Sequence, residues 1–223
     1  MQLVISGLLT DYQNRILLRQ ATEATLALVE RAATPSATPV ETLDRAFRED
    51  TGLIVMPARL AGLYYNSRED RLMFLFRCIM RGGDIVIGEG GRPAGFFDSA
   101  PLPRGLSRAR QRQIDGALYH AGGPPLLEHE ANGPGAWLGR LMRPDVAPPR
   151  GDEWTVAARI VESPAEARVE WLVAEPPPEG APVAGEAPWE TAARLLGRPS
   201  VRLARVEVAA GRPMMTLSFA ATE

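Results

Sequence analysis

Residues 38–53, TPVETLDRAFREDTGL, carry a complete helix with its own start and stop. Thr38 can cap the helix through its side-chain oxygen, Pro39 suits the first helical position, and Glu41 completes a T-x-x-E capping box. Leu43, Ala46 and Phe47 recur at i, i+3 and i+4 and form an apolar stripe. Arg45 and Glu49 are spaced to pair at i, i+4, and Gly52 supplies the left-handed turn that ends a helix. Glu49 and Asp50 are out of keeping with this economy. They put two carboxylates in the last turn, where the helix macrodipole favours cations. Acid in that place asks for a function or a partner.

The surrounding composition limits the choices. The chain has 223 residues, 45% of them hydrophobic and 23% charged, which is enough for one large domain or two modest ones. No apolar run approaches the length of a membrane span, and the opening MQLVISGLLTDYQNR turns polar too early for a leader; a cytoplasmic protein without membrane partners is expected. A net charge of −2 gives no general attraction to nucleic acid, so no nucleic-acid partner is expected. All 25 basic residues are arginine, which excludes the phosphate-binding lysine of a P-loop and Schiff-base chemistry. Cys78 is the only cysteine, so neither an internal disulfide nor a cysteine-based zinc site can form; its apolar surroundings predict a buried, inert thiol. His120 and His129, the only histidines, fit no metal or triad pattern and read as surface residues.

Around the helix, LVISGLLT, the turn DYQNR and ILLRQ read as a hairpin, and ATLALVE reads as a further strand. After the helix come two long β-runs, IVMPARLAGLYYN and RLMFLFRCIMR, joined by the polar turn SRED, and then a strand in DIVIGE. GFFDSAPLPRGL reads as a loop, and SRARQRQIDGALYHA as a helix capped by Ser107, with Ile114, Ala117 and Leu118 facing inward. Gly and Pro crowd residues 123–151, which mark a junction between a first domain of residues 1–122 and a second of residues 152–223. In the second, WTVAARIV, ARVEWLVAE, WETAARLLG, VRLARVEV and PMMTLSF predict a small ββαββ domain, with Trp154, Trp171 and Trp189 in its core. One short helix covers one sheet face, so the other face is expected to pack on the first domain or on a second copy, as a homodimer.

In this context the chain resembles the Nudix hydrolase superfamily over roughly residues 1–122. The family motif G-x5-E-x7-R-E-U-x-E-E-x-G-U, with U aliphatic, falls on Arg31, Ala37, Arg45, Ala46, Phe47, Glu49, Asp50, Gly52 and Leu53. Arg45, Glu49, Gly52 and Leu53 are retained and Asp50 is a shortened acid; the loop glycine, the loop glutamate and the glutamate after the arginine are replaced by Arg31, Ala37 and Ala46. The resemblance implies an α+β fold, a Nudix-like mixed sheet with helices, followed by the small ββαββ domain. It implies hydrolysis of a pyrophosphate in a nucleoside-diphosphate-linked ligand, a nucleotide-like small molecule. The catalytic residues it implies are Glu49, Asp50 and Arg45, with Mg2+ or Mn2+ held by Glu49, Asp50 and, from the following β-region, Glu89. Positions 46, 49 and 50 lie at i, i+3 and i+4, so Ala46 removes the middle carboxylate of a shared face; metal binding and hydrolysis are expected to be weak or lost. Tyr64 and Tyr65 are candidates for stacking on a base, against the alternative of core and rim. The other reading of the whole is a non-catalytic ligand-binding or assembly module on the same fold. Three or more carboxylates converging on the helix end favour the enzyme, and two or fewer favour the module.

Overall fold

The computed structural model describes residues 2–34, 37–86, 93–119, 125–130, 155–159, 179–180, 186–199, 201–207 and 216–221. The chain divides into two compact units, one built from Gln2–Tyr65 and Arg71–Glu130 and the other chiefly from Ala131–Glu223.

The first unit contains β1 (Gln2–Leu9), β2 (Ile16–Thr22), β3 (Thr25–Ala27), β4 (Val29–Ala32), α1 (Pro39–Thr51), β5 (Ile54–Asn66), β6 (Arg71–Gly82), β7 (Ala94–Phe97), α2 (Arg108–Tyr119) and β8 (Leu126–Glu130). Its main sheet has the order β4-β1-β6-β5-β8, and a smaller one has the order β3-β2-β7. The main sheet is mixed: β1 runs parallel to β6, with Ile5 beside Phe74, and antiparallel to β4, with Ile5 beside Arg31. The fold is thus α+β with a mixed sheet.

β1 is buried at every position except Gln2, so both of its faces need cover, as expected of a central strand. This corrects the hairpin expected from LVISGLLT and ILLRQ. The two strands meet only at one bridge, Thr10 to Ile16, and then part into different sheets. The turn between them redirects the chain: Asp11 Oδ1 accepts hydrogen bonds from the backbone N–H of Gln13 and Arg15, both at 2.9 Å, and Asn14 is left-handed at φ 59°. ATLALVE is likewise two strands, β3 and β4, that change sheets at the buried Leu28. β7 forms where a loop was expected, because Leu17 and Leu18 of the central strand β2 pair with Phe96 and Gly95. The strand expected in DIVIGE does not begin at residues 84–86; its remaining residues lie outside the described residues. β8 lies within residues 123–151 and joins β5 in the main sheet, so the first unit runs to Glu130.

The helix α2 starts as the sequence implies, with Ser107 Oγ accepting from the Arg110 N–H at 3.2 Å. Its Ile114 and Ala117 join Val4, Leu8, Ile16, Leu18, Leu28 and Tyr64 in a common core, with Leu118 packed against it. No helix among the described residues is long and apolar enough to cross a membrane.

In the second unit the described elements are β9 (Thr155–Arg159), β10 (Glu179–Gly180), α3 (Pro188–Leu196), β11 (Val201–Glu207) and β12 (Thr216–Ala221), with sheet order β10-β9-β12-β11. Leu217 and Phe219, two apart on β12, are buried together with Leu203 and with Ala192 of α3. Trp189 lies on α3 and is half-buried. Trp154, Trp171 and the segment ARVEWLVAE fall outside the described residues.

Candidate functional site

α1 is built as its sequence implies. Thr38 Oγ1 accepts from the Glu41 N–H at 3.2 Å, and Glu41 Oε2 accepts from the Thr38 N–H at 2.8 Å, so the capping box is closed in both directions. At the other end Gly52 is left-handed at φ 78° and its N–H donates to the Arg48 carbonyl at 3.0 Å. The helix buries Thr42, Leu43, Ala46, Phe47 and Thr51. Phe47 lies over Gly7 of β1, where an added Cβ would stand 2.5 Å from the ring; the missing side chain lets helix and sheet approach.

The last turn of α1 puts Glu49 and Asp50 beside β2 and β4. Arg31 of β4 bonds to both acids, with Nη1 2.7 Å from Glu49 Oε2 and Nη2 3.1 Å from Asp50 Oδ1. Arg19 of β2 lies against Asp50 from the other side, Nε to Oδ2 at 3.5 Å. Two carboxylates and two guanidiniums sum to zero charge. The i, i+4 pairing expected between Arg45 and Glu49 is replaced by this one, and the outer face of α1 carries instead a pair between Arg48 Nε and Asp44 Oδ2 at 2.7 Å. Arg45 is exposed on the helix.

Ala46 does not share the surface of Glu49 and Asp50. It is fully buried, whereas Glu49 retains 38% and Asp50 25% of its side-chain exposure. Three and four residues span about 300° and 400° of helical rotation, so 46, 49 and 50 cluster in projection. The sheet covers Ala46 and leaves the other two at the rim, a distinction that spacing cannot make.

A divalent magnesium or manganese ion takes a shell of oxygens in which carboxylates carry the charge. Among the described residues, no group of three or more His, Cys, Asp or Glu side chains converges in a way that could hold a metal ion. Glu49 and Asp50 have their oxygens turned to arginine. As placed, both carboxylates are engaged by Arg31 and Arg19 rather than open to an ion. Glu89 lies outside the described residues.

Tyr64 and Tyr65, the candidates for base stacking, are buried at 2% and 1% exposure and present no ring face to a ligand. Tyr64 belongs to the main core, and burial first, with the charge of Glu128 second, pushes its hydroxyl well above the ordinary value. Tyr65 packs against His129 of β8, ring centroids 5.2 Å apart. The alternative of core and rim describes this pair. Cys78 is buried as expected, and burial pushes its thiol up to about 12, which leaves it inert.

A second polar cluster went unrecognised in the sequence. Glu30, adjacent to Arg31 on β4, accepts from Arg71 Nη2 and from Arg110 Nη2, each at 2.8 Å, and so ties β4, β6 and α2 together. Burial alone would raise the Glu30 carboxyl, but Arg110 and Arg71 outweigh it and hold the group below its ordinary 4.5. A carboxylate with a depressed folded-state value contributes stability above its unfolded value and loses it as pH falls through the folded one. Stability is therefore expected to decline from about pH 4.5 downward, and Glu30→Gln to flatten that decline while costing stability at neutral pH. Urea midpoints at pH 7 and pH 3.5 measure this; parallel losses in the two proteins would contradict it.

No family model matches the chain, and no curated protein matches it in sequence. Solved structures do resemble it. An ADP-ribose pyrophosphatase from Streptococcus suis 89-1591 is 16% identical, covering 58% of this chain and 98% of its own, with a TM-score of 0.48. The MutT protein from Bacillus halodurans is 17% identical over 58% of this chain and 90% of its own, TM-score 0.49. A Nudix hydrolase from Nitrosomonas europaea is 18% identical over 57% and 77%, TM-score 0.48. All three are under 25% identical with TM-scores below 0.5, and they assign this chain no family, ligand or activity.

Proposed function

We propose that the first unit is a Nudix-type domain that binds a nucleoside-diphosphate-linked small molecule and hydrolyses its pyrophosphate weakly or not at all. The observation that supports this reading is the bonding of Arg31 to both Glu49 and Asp50. The acids of the helix end, which the resemblance would assign to a cation, are neutralised from within the fold. Arg31 also stands where the family motif has its loop glycine, so one substitution removes the loop residue and supplies the counter-charge. With two carboxylates at the helix end among the described residues, the non-catalytic module is the better-supported form of the proposal.

A slow hydrolase is the second reading, favoured by the 38% exposure of Glu49 and the 40% exposure of Arg31, because an ion pair in contact with water opens readily. Steady-state assay with ADP-ribose and magnesium or manganese separates the two. Turnover far below the ordinary enzyme range of about 1–10³ per second is expected. Turnover within that range, abolished by Glu49→Ala, would overturn the proposal.

A further inference from the structure

We draw no further inference here: the strongest candidate, the exposed apolar surface of Ile79 and Met80 at the end of β6, beyond its pairing with β1, carries nothing because nothing among the described residues shows what covers it.

Discussion

Ala46→Glu is expected to destabilise the first unit by about 3 kcal/mol or more, through burial of a charge without a partner. The residue is fully buried on the inner face of α1, on the same apolar stripe as Leu43 and Phe47. From spacing alone the same substitution would restore the missing carboxylate of the acid face and raise pyrophosphate hydrolysis. Burial opposes that outcome: a glutamate here must either lose its charge or push the helix off β1, where Phe47 already sits against Gly7. Ala46→Ser, nearly the same size, should cost far less, about 1 kcal/mol. Urea unfolding of the three proteins decides it. An unchanged midpoint for Ala46→Glu together with new magnesium-dependent turnover would show that position 46 opens onto the acid face after all.

The second large effect concerns Gly52, where Gly52→Ala is expected to cost about 2–4 kcal/mol. Its left-handed φ of 78° alone penalises a side chain by roughly 1–2 kcal/mol. The larger part is contact: an added Cβ would stand 2.5 Å from the Asp84 carbonyl oxygen and 2.7 Å from Val86 Cγ2. The approach is mutual, since Gly83 is also left-handed at φ 86° and a Cβ there would meet the Gly52 carbonyl oxygen. Between them the Val86 N–H donates to the Thr51 carbonyl at 3.0 Å, so the segment after β6 is fastened to the end of α1. Asparagine tolerates the left-handed region and would be a mild change at an open helix end. Here Gly52→Asn should be as costly as Gly52→Ala, and thermal or urea unfolding giving a loss below about 1 kcal/mol for either would contradict the contact argument.

What could be read from the sequence was what is local. Thr38, Pro39, Glu41 and Gly52 define α1 because each acts on backbone groups within four residues of itself. Ser107 marked the start of α2 for the same reason. Strand pairing was less legible. The turn DYQNR is a true turn, yet β1 and β2 part after one bridge because each finds better-covered neighbours farther along the chain. The burial of Tyr64 and Tyr65 did leave a signal: Ala61, Leu63, Tyr64 and Tyr65 are almost unbroken apolar sequence, the pattern of a strand covered on both faces. Arg31 shows the limit most clearly. Its position at the motif's glycine was visible, but its reach to Asp50, 19 residues on, depends on β4 lying beside α1.

That contact is the centre of the account, and a calorimetric titration with magnesium and manganese, comparing the chain with its Arg31→Ala variant, tests it most directly. Ion pairs this exposed contribute about 0–1 kcal/mol each, so the variant should stay folded. Removing one positive charge about 5 Å from a divalent ion is worth roughly 1.7 kcal/mol even in water, close to twentyfold in affinity. Weak or undetectable binding to the native chain, and binding gained in Arg31→Ala but absent when Glu49→Ala is added, is the predicted result. Tight binding to the native chain that disappears with Glu49→Ala would contradict the account, because the carboxylates would then belong to the metal and not to Arg31.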